Sequence, residues 1–164
     1  MRIAIEEYDR RWLERFRREE AKIRRALGER ALRIEHVGST SVPGLAAKPV
    51  IDVLLEVVDS ADEAAYAPLL ESAGYGLRIR EPEWFEHRFF KDGAEVVQIH
   101  VFGAGCPEIE RMLRFRDWLR ANGADREWYG LKKRELAERE WERVDDYANA
   151  KTEVIEAILR RAIC

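Results

Sequence analysis

Two cysteines in 164 residues, Cys106 and Cys164, are too few and too far apart for a disulfide framework, and with no C-x-x-C pair they offer no structural zinc site. Long hydrophobic runs are also missing. The most apolar stretch, residues 50–58, is interrupted by Asp52 and Glu56 and falls well short of the about 20 residues that cross a bilayer. The first residues hold no signal-peptide core, so a soluble, cytoplasmic protein without a membrane partner is expected. Charge of one sign is lacking as well: 29 Lys and Arg against 32 Asp and Glu leave a formal charge of −3. No basic field recommends nucleic acid as a partner. Neither a repeat nor a linker divides the chain, and its length suits one domain over 1–164.

What is present reads as an α+β domain, a small mixed or largely antiparallel sheet covered by helices, with a helical C-terminal part. From Glu6 to Leu27, Trp12, Phe16, Ile23 and Leu27 recur at helical spacing among interleaved Glu and Arg, which predicts an amphipathic helix. Leu32 to Val37 reads as a strand ending at Gly38, and Val50 to Val58 as a central one. Ser60 and Glu63 have capping-box spacing and predict a helix through Leu70. Tyr75 to Arg80 predicts a strand, and His87 to Lys91 with Glu95 to Phe102 an antiparallel hairpin across Asp92-Gly93. Pro107 suits the first turn of a helix to about Ala121. Further helices are expected from Asp125 to about Glu140, and from Asp145 or Asp146 to Ala162.

The chemistry concentrates between the first two strands. Gly38 lets the backbone turn and approach a ligand closely, and Ser39, Thr40 and Ser41 supply hydroxyls and amides for phosphate oxygens. Lys48 adds positive charge. Asp52 interrupts a buried run, where an unpartnered carboxylate would cost several kcal/mol, so it must be paired, coordinated or protonated. Period-two alternation puts Asp52 on the face of Leu54, and Gln98 and His100 together on one face of the hairpin strand. If those faces coincide, Asp52 and His100 share a cleft with the loop after His36. His36, Asp52 and His100 are also a ligand set for zinc, manganese or iron.

The run HVGSTSVPGLAAKPVIDVLLEV, followed by EHRFF, QIHVF, LRFRDWLR, WYGLKKRELA and YANAKTEVI, resembles the GrpB family over nearly the whole chain. That family also occurs as a domain appended to some dephospho-CoA kinases. The resemblance implies a nucleotidyltransferase-like fold, in which Gly-Ser after the first strand cradles nucleotide phosphates and precedes a metal-binding carboxylate pair on the next. It adds Arg88, Lys132 and Lys151, which fall on the family's motifs, as candidate ligand contacts. The second carboxylate would clamp two ions about 3.5–4 Å apart, yet Leu54 stands in its place. Gln98 replaces the first histidine of an H-x-H strand. A nucleotide or phosphorylated small molecule is therefore the expected ligand. If transfer of a nucleoside monophosphate occurs, Asp52 would hold magnesium or manganese and His100 would orient the acceptor or act as base. Two alternatives are an interaction or folding-assistance module that offers a protein partner the helices of 107–162, and a metal-dependent hydrolase using His36, Asp52 and His100.

Overall fold

The computed structural model describes residues 4–139 and 143–163. The expected helix end at Glu140, Trp141 and Cys164 lie outside them. The first helix, α1 (Arg11–Leu27), buries Trp12, Phe16, Ile23 and Leu27 as expected, with Glu19 filling the gap in the stripe. Glu19 is tolerated there because its carboxylate accepts the Tyr75 hydroxyl at 2.6 Å. The helix starts later than its periodicity suggests. Glu6 instead exchanges backbone hydrogen bonds with Ala47, and the Asp9 carboxylate accepts the Arg11 amide at 2.8 Å, opening the first turn.

Five strands follow: β1 (Arg33–Val37), β2 (Ile51–Val57), β3 (Tyr75–Glu81), β4 (His87–Asp92) and β5 (Val97–Gly103). They form one sheet in the order β1-β2-β5-β4-β3. Every neighbouring pair is antiparallel except β2 and β5, which run parallel. The sheet is thus mixed, with β2 internal, as its near-continuous apolar run requires.

Alternation sorts the sheet into two faces. Ile34, Ile51, Val53, Leu55, Ile99 and Val101 pack with Trp12, Phe16 and Ile23 of α1 and with Leu70 of the short α2 (Ala67–Ser72). Val37, Leu54 and Phe102 pack on the other face against Ile109 and Leu113 of α3 (Pro107–Ala121). The capping box at Ser60 does not form. Ser60 Oγ donates to the Glu86 carbonyl at 2.8 Å, and the Glu63 carboxylate is taken by Arg80 and Arg88. A 3-10 turn over Glu63–Ala65 precedes α2 instead.

The C-terminal part is helical: α4 (Gly123–Ala137), α5 (Val144–Ala150) and α6 (Thr152–Ile163). Asn122 caps α4 by accepting the Asp125 amide at 2.9 Å. The single helix expected to Ala162 is two, because the Lys151 amide is shared between the Tyr147 and Ala148 carbonyls and tightens the chain there. Val42 and Leu45, from the loop between β1 and β2, pack with Leu119, Tyr129 and Ile158. That cluster holds the C-terminal helices over the loop.

Candidate functional site

The loop after β1 turns at Gly38, with φ 73° and ψ −178°, a conformation only glycine adopts readily. Ser41 Oγ donates to the Gly38 carbonyl at 2.5 Å, and Thr40 Oγ1 donates to the Val50 carbonyl at 2.9 Å. Two of the three hydroxyls predicted for a ligand thus brace the loop itself. Asp52 lies directly against the turn: a Cβ on Gly38 would fall 2.5 Å from Asp52 Oδ2. The absent side chain is the space the carboxylate uses.

A cavity of about 320 Å³ opens beside this contact, lined by Gly38, Ser39 and Thr40, by Lys48, Asp52 and Gln98, and from the helices by Phe115, Tyr129, Lys133, Tyr147 and Lys151. Tyr129 and Lys133 are four residues apart on α4, so both point inward. Lys133 is buried, its ammonium donating to the Ala46 carbonyl at 2.5 Å and lying 5.0 Å from the centre of the Tyr129 ring. Burial, with Lys151 and Arg134 nearby, lowers its pKa to about 7. Lys151 sits 4.7 Å over the Tyr147 ring. Burial lowers its pKa too, against the attraction of Asp52. Among the described residues, none of Lys48, Lys133 and Lys151 forms an ion pair with a carboxylate.

Asp52 and His100 do meet. The parallel register sets Asp52 beside Gln98 and Leu54 beside His100, and His100 Nε2 approaches Asp52 Oδ1 at 3.3 Å. His100 is not itself among the residues lining the cavity; it stands behind Asp52. On its far side, His100 Nδ1 lies 3.2 Å from His87 Nε2, and His87 Nδ1 lies 2.7 Å from Glu81 Oε1. Burial, then the neighbouring His100, lowers the His87 pKa.

Several expected site residues lie elsewhere. His36 pairs with Val53, not Asp52, so its side chain belongs to the α1 face, where the ring stacks on Phe16 at 4.7 Å. Because the Thr40 hydroxyl proton goes to Val50, His36 Nε2 must donate to Thr40 Oγ1 at 3.0 Å. Its Nδ1 is left buried without a partner, and burial lowers the pKa to about 4. The ring is therefore neutral in the folded protein down to about pH 4 but charged in the unfolded chain below about 6.5. Stability from this group is complete above pH 6.5, and roughly 3 kcal/mol is lost as pH falls to 4. Urea denaturation between pH 7 and pH 4 should show that slope, and His36→Leu should flatten it.

Arg88 alternates onto the α2 face and binds Glu63 at 2.7 Å and Glu86 at 3.0 Å. It does not reach the cavity. Lys132 is one helix position out of phase and pairs with Glu135 at the surface, at 3.3 Å; its neighbour Lys133 takes the inward place. Arg116 is bound to Glu35 and the His36 carbonyl. Ser41 faces a second recess beside His36. Sequence reasoning missed Tyr129, Lys133, Tyr147, His87 and Glu81. Helical phase from Tyr129 would have selected Lys133, and alternation from His100 through the hairpin would have selected His87.

A two-ion clamp does not fit these residues. Leu54, at the position of the second acid, is fully buried against Phe102 and Ile109. His36 faces away, and among the described residues no three His, Cys, Asp or Glu side chains are grouped to hold a metal ion.

The chain is an α+β protein in which a Gly-Ser loop after the first strand meets a carboxylate on the next. A family model described as GrpB protein matches residues 2–161. The chain belongs to the GrpB family. A UPF0157 protein from Halalkalibacterium halodurans is 58% identical over 98% of this chain and 82% of its own length. A dephospho-CoA kinase from Mycolicibacterium paratuberculosis is 31% identical over 86% of this chain, which covers 41% of that protein. The crystal structure of the conserved protein GrpB from Enterococcus faecalis superposes with a TM-score of 0.86 at 33% identity, covering 97% of this chain and 96% of that one. No helix among the described residues is long and apolar enough to cross a membrane.

Proposed function

We propose that the cavity binds a nucleotide or another phosphorylated small molecule, its phosphate against Lys48, Lys133 and Lys151 and a hydroxyl or amino group toward Asp52. One observation carries the reading: three lysines line a single recess without carboxylate partners, two of them with pKa values depressed by burial. Buried positive charge of this kind is costly, and a phosphate would offset it with charge-assisted hydrogen bonds. The half-buried Ser39 and the Ser39 and Thr40 amides after Gly38 supply further donors. Transfer of a nucleoside monophosphate is the reaction the family layout suggests, with Asp52 accepting the acceptor's proton. The hydrolase reading would need His36 beside Asp52, and His36 lies on the opposite face.

A thermal-shift screen of the four nucleoside triphosphates and coenzyme A precursors, with and without magnesium or manganese, tests this. At least one should raise the melting temperature of the wild type and of Lys132→Ala, but not of Lys151→Ala. If no ligand shifts the wild type, the binding reading fails and the interaction-module reading stands.

A further inference from the structure

Asp52, His100, His87 and Glu81 form one hydrogen-bonded row from the cavity across β2, β5 and β4 to the end of the edge strand β3, with contacts of 3.3, 3.2 and 2.7 Å. Its outer carboxylate is partly open to solvent, and His87 between them is 4% exposed. Aromatic rings wall the row: Trp84 lies 5.0 Å and Phe102 4.9 Å from His87, and Phe89 lies 5.1 Å from His100. Charged neighbours are Arg88 beside His87 and Glu108 on α3, which feels His100.

Three contacts each need one proton, and two neutral imidazoles carry only two. The 2.7 Å contact is the length of a charge-assisted bond, so one proton sits on His87 Nδ1, donated to Glu81. His87 Nε2 then accepts, and His100 Nδ1 must donate to it. This leaves the His100 Nε2 lone pair facing the Asp52 carboxylate across the longest gap, two acceptors with room for one more proton between them.

We propose that Glu81 and His87 are positioning residues that hold His100 in its Nδ1–H tautomer, so that a proton reaching Asp52 from a cavity ligand passes to His100 Nε2 and is stabilised by the Glu81 charge at the far end. In that step the ligand's O–H or N–H bond breaks, Asp52 returns to carboxylate, and an N–H bond forms on His100. The row becomes Glu81 carboxylate, His87, a His100 imidazolium and Asp52 carboxylate, with all three contacts made. This use of the row rests on the proposed binding of a ligand at Asp52, whereas the tautomer belongs to the free protein.

The chain has only three histidines, so nitrogen-15 spectra of the imidazoles can be read individually. In ligand-free protein at pH 8.5, His87 and His100 should both be Nδ1–H, and His36 Nε2–H. Glu81→Leu removes the outer acceptor and should switch His100 to Nε2–H, donating to Asp52. Glu81→Gln, which keeps an acceptor but not the charge, should leave the His100 tautomer unchanged. A wild-type His100 found as Nε2–H overturns the proposal, as does a His100 tautomer that is the same in Glu81→Leu. Neither outcome depends on ligand: a positive thermal shift with an unswitched tautomer defeats the row alone, and the reverse result defeats the binding reading alone.

Discussion

Gly38→Ala should cost about 2–6 kcal/mol of unfolding free energy and abolish any ligand-induced thermal shift. Two costs add. The backbone at φ 73°, ψ −178° lies in a region that carries about 1–3 kcal/mol for a residue with a side chain. The new methyl would also lie 2.5 Å from Asp52 Oδ2, closer than any Cβ sits, and forcing atoms into a filled site costs about 1–3 kcal/mol. The overlap can be relieved only by swinging Asp52 away or by moving the loop, and either breaks the site. Urea denaturation measures the first effect and the nucleotide screen the second. A control at Gly93, where a Cβ meets nothing within 4 Å, should change neither by more than about 1 kcal/mol. A stable Gly38→Ala protein that still binds would mean that Asp52 does not need its present position.

Lys133→Met should do the opposite to stability and the same to binding. The ammonium is buried against the Ala46 carbonyl and the Tyr129 ring, and its pKa falls from 10.5 in the unfolded chain to about 7. Between those values the unfolded chain binds the extra proton, so wild-type stability rises with pH from 7 to 10.5, and the penalty of the buried charge is complete below 7. Methionine fills the same space without charge but leaves the Ala46 carbonyl unpaired, at about 1–3 kcal/mol. The net expectation is a variant about 2 kcal/mol more stable at pH 6.5, with the advantage gone by pH 10.5. Its affinity for a phosphate ligand should fall about 10- to 100-fold, the worth of a charge-assisted hydrogen bond. Greater stability with weaker binding would identify a charge kept for its ligand rather than for the fold.

The sheet, the sequence of elements and the meeting of Asp52 with His100 were legible because alternation and helical periodicity report which residues share a face. The misplacements have a common physical origin, an error of one residue in phase. Val37, not His36, lies opposite Asp52, because an antiparallel ladder shifted by one residue exchanges its two faces. His87, not Arg88, shares the face of His100. Lys133, not Lys132, turns inward, since adjacent residues on a helix differ by about 100°. The motifs marked the right neighbourhoods. Which of two neighbours faces the cavity is decided by packing between segments far apart in sequence, and that information is not local.

The parallel pairing of β2 with β5 orders events in time as well as space. Asp52 and His100 belong to strands separated by α2, β3 and β4, so the ladder that joins them closes a long loop, a slow step compared with the local hairpins. During synthesis the glycine turn and Asp52 emerge first, then His87, then His100, and the cavity lysines of α4 and the α5–α6 junction last. A chain stalled before β5 would hold Asp52 on a strand with one edge unpaired, with Lys48 but without His100, Lys133 or Lys151. The recess is therefore finished only when the residues through Ile155 have left the ribosome and α4–α6 can fold over the loop.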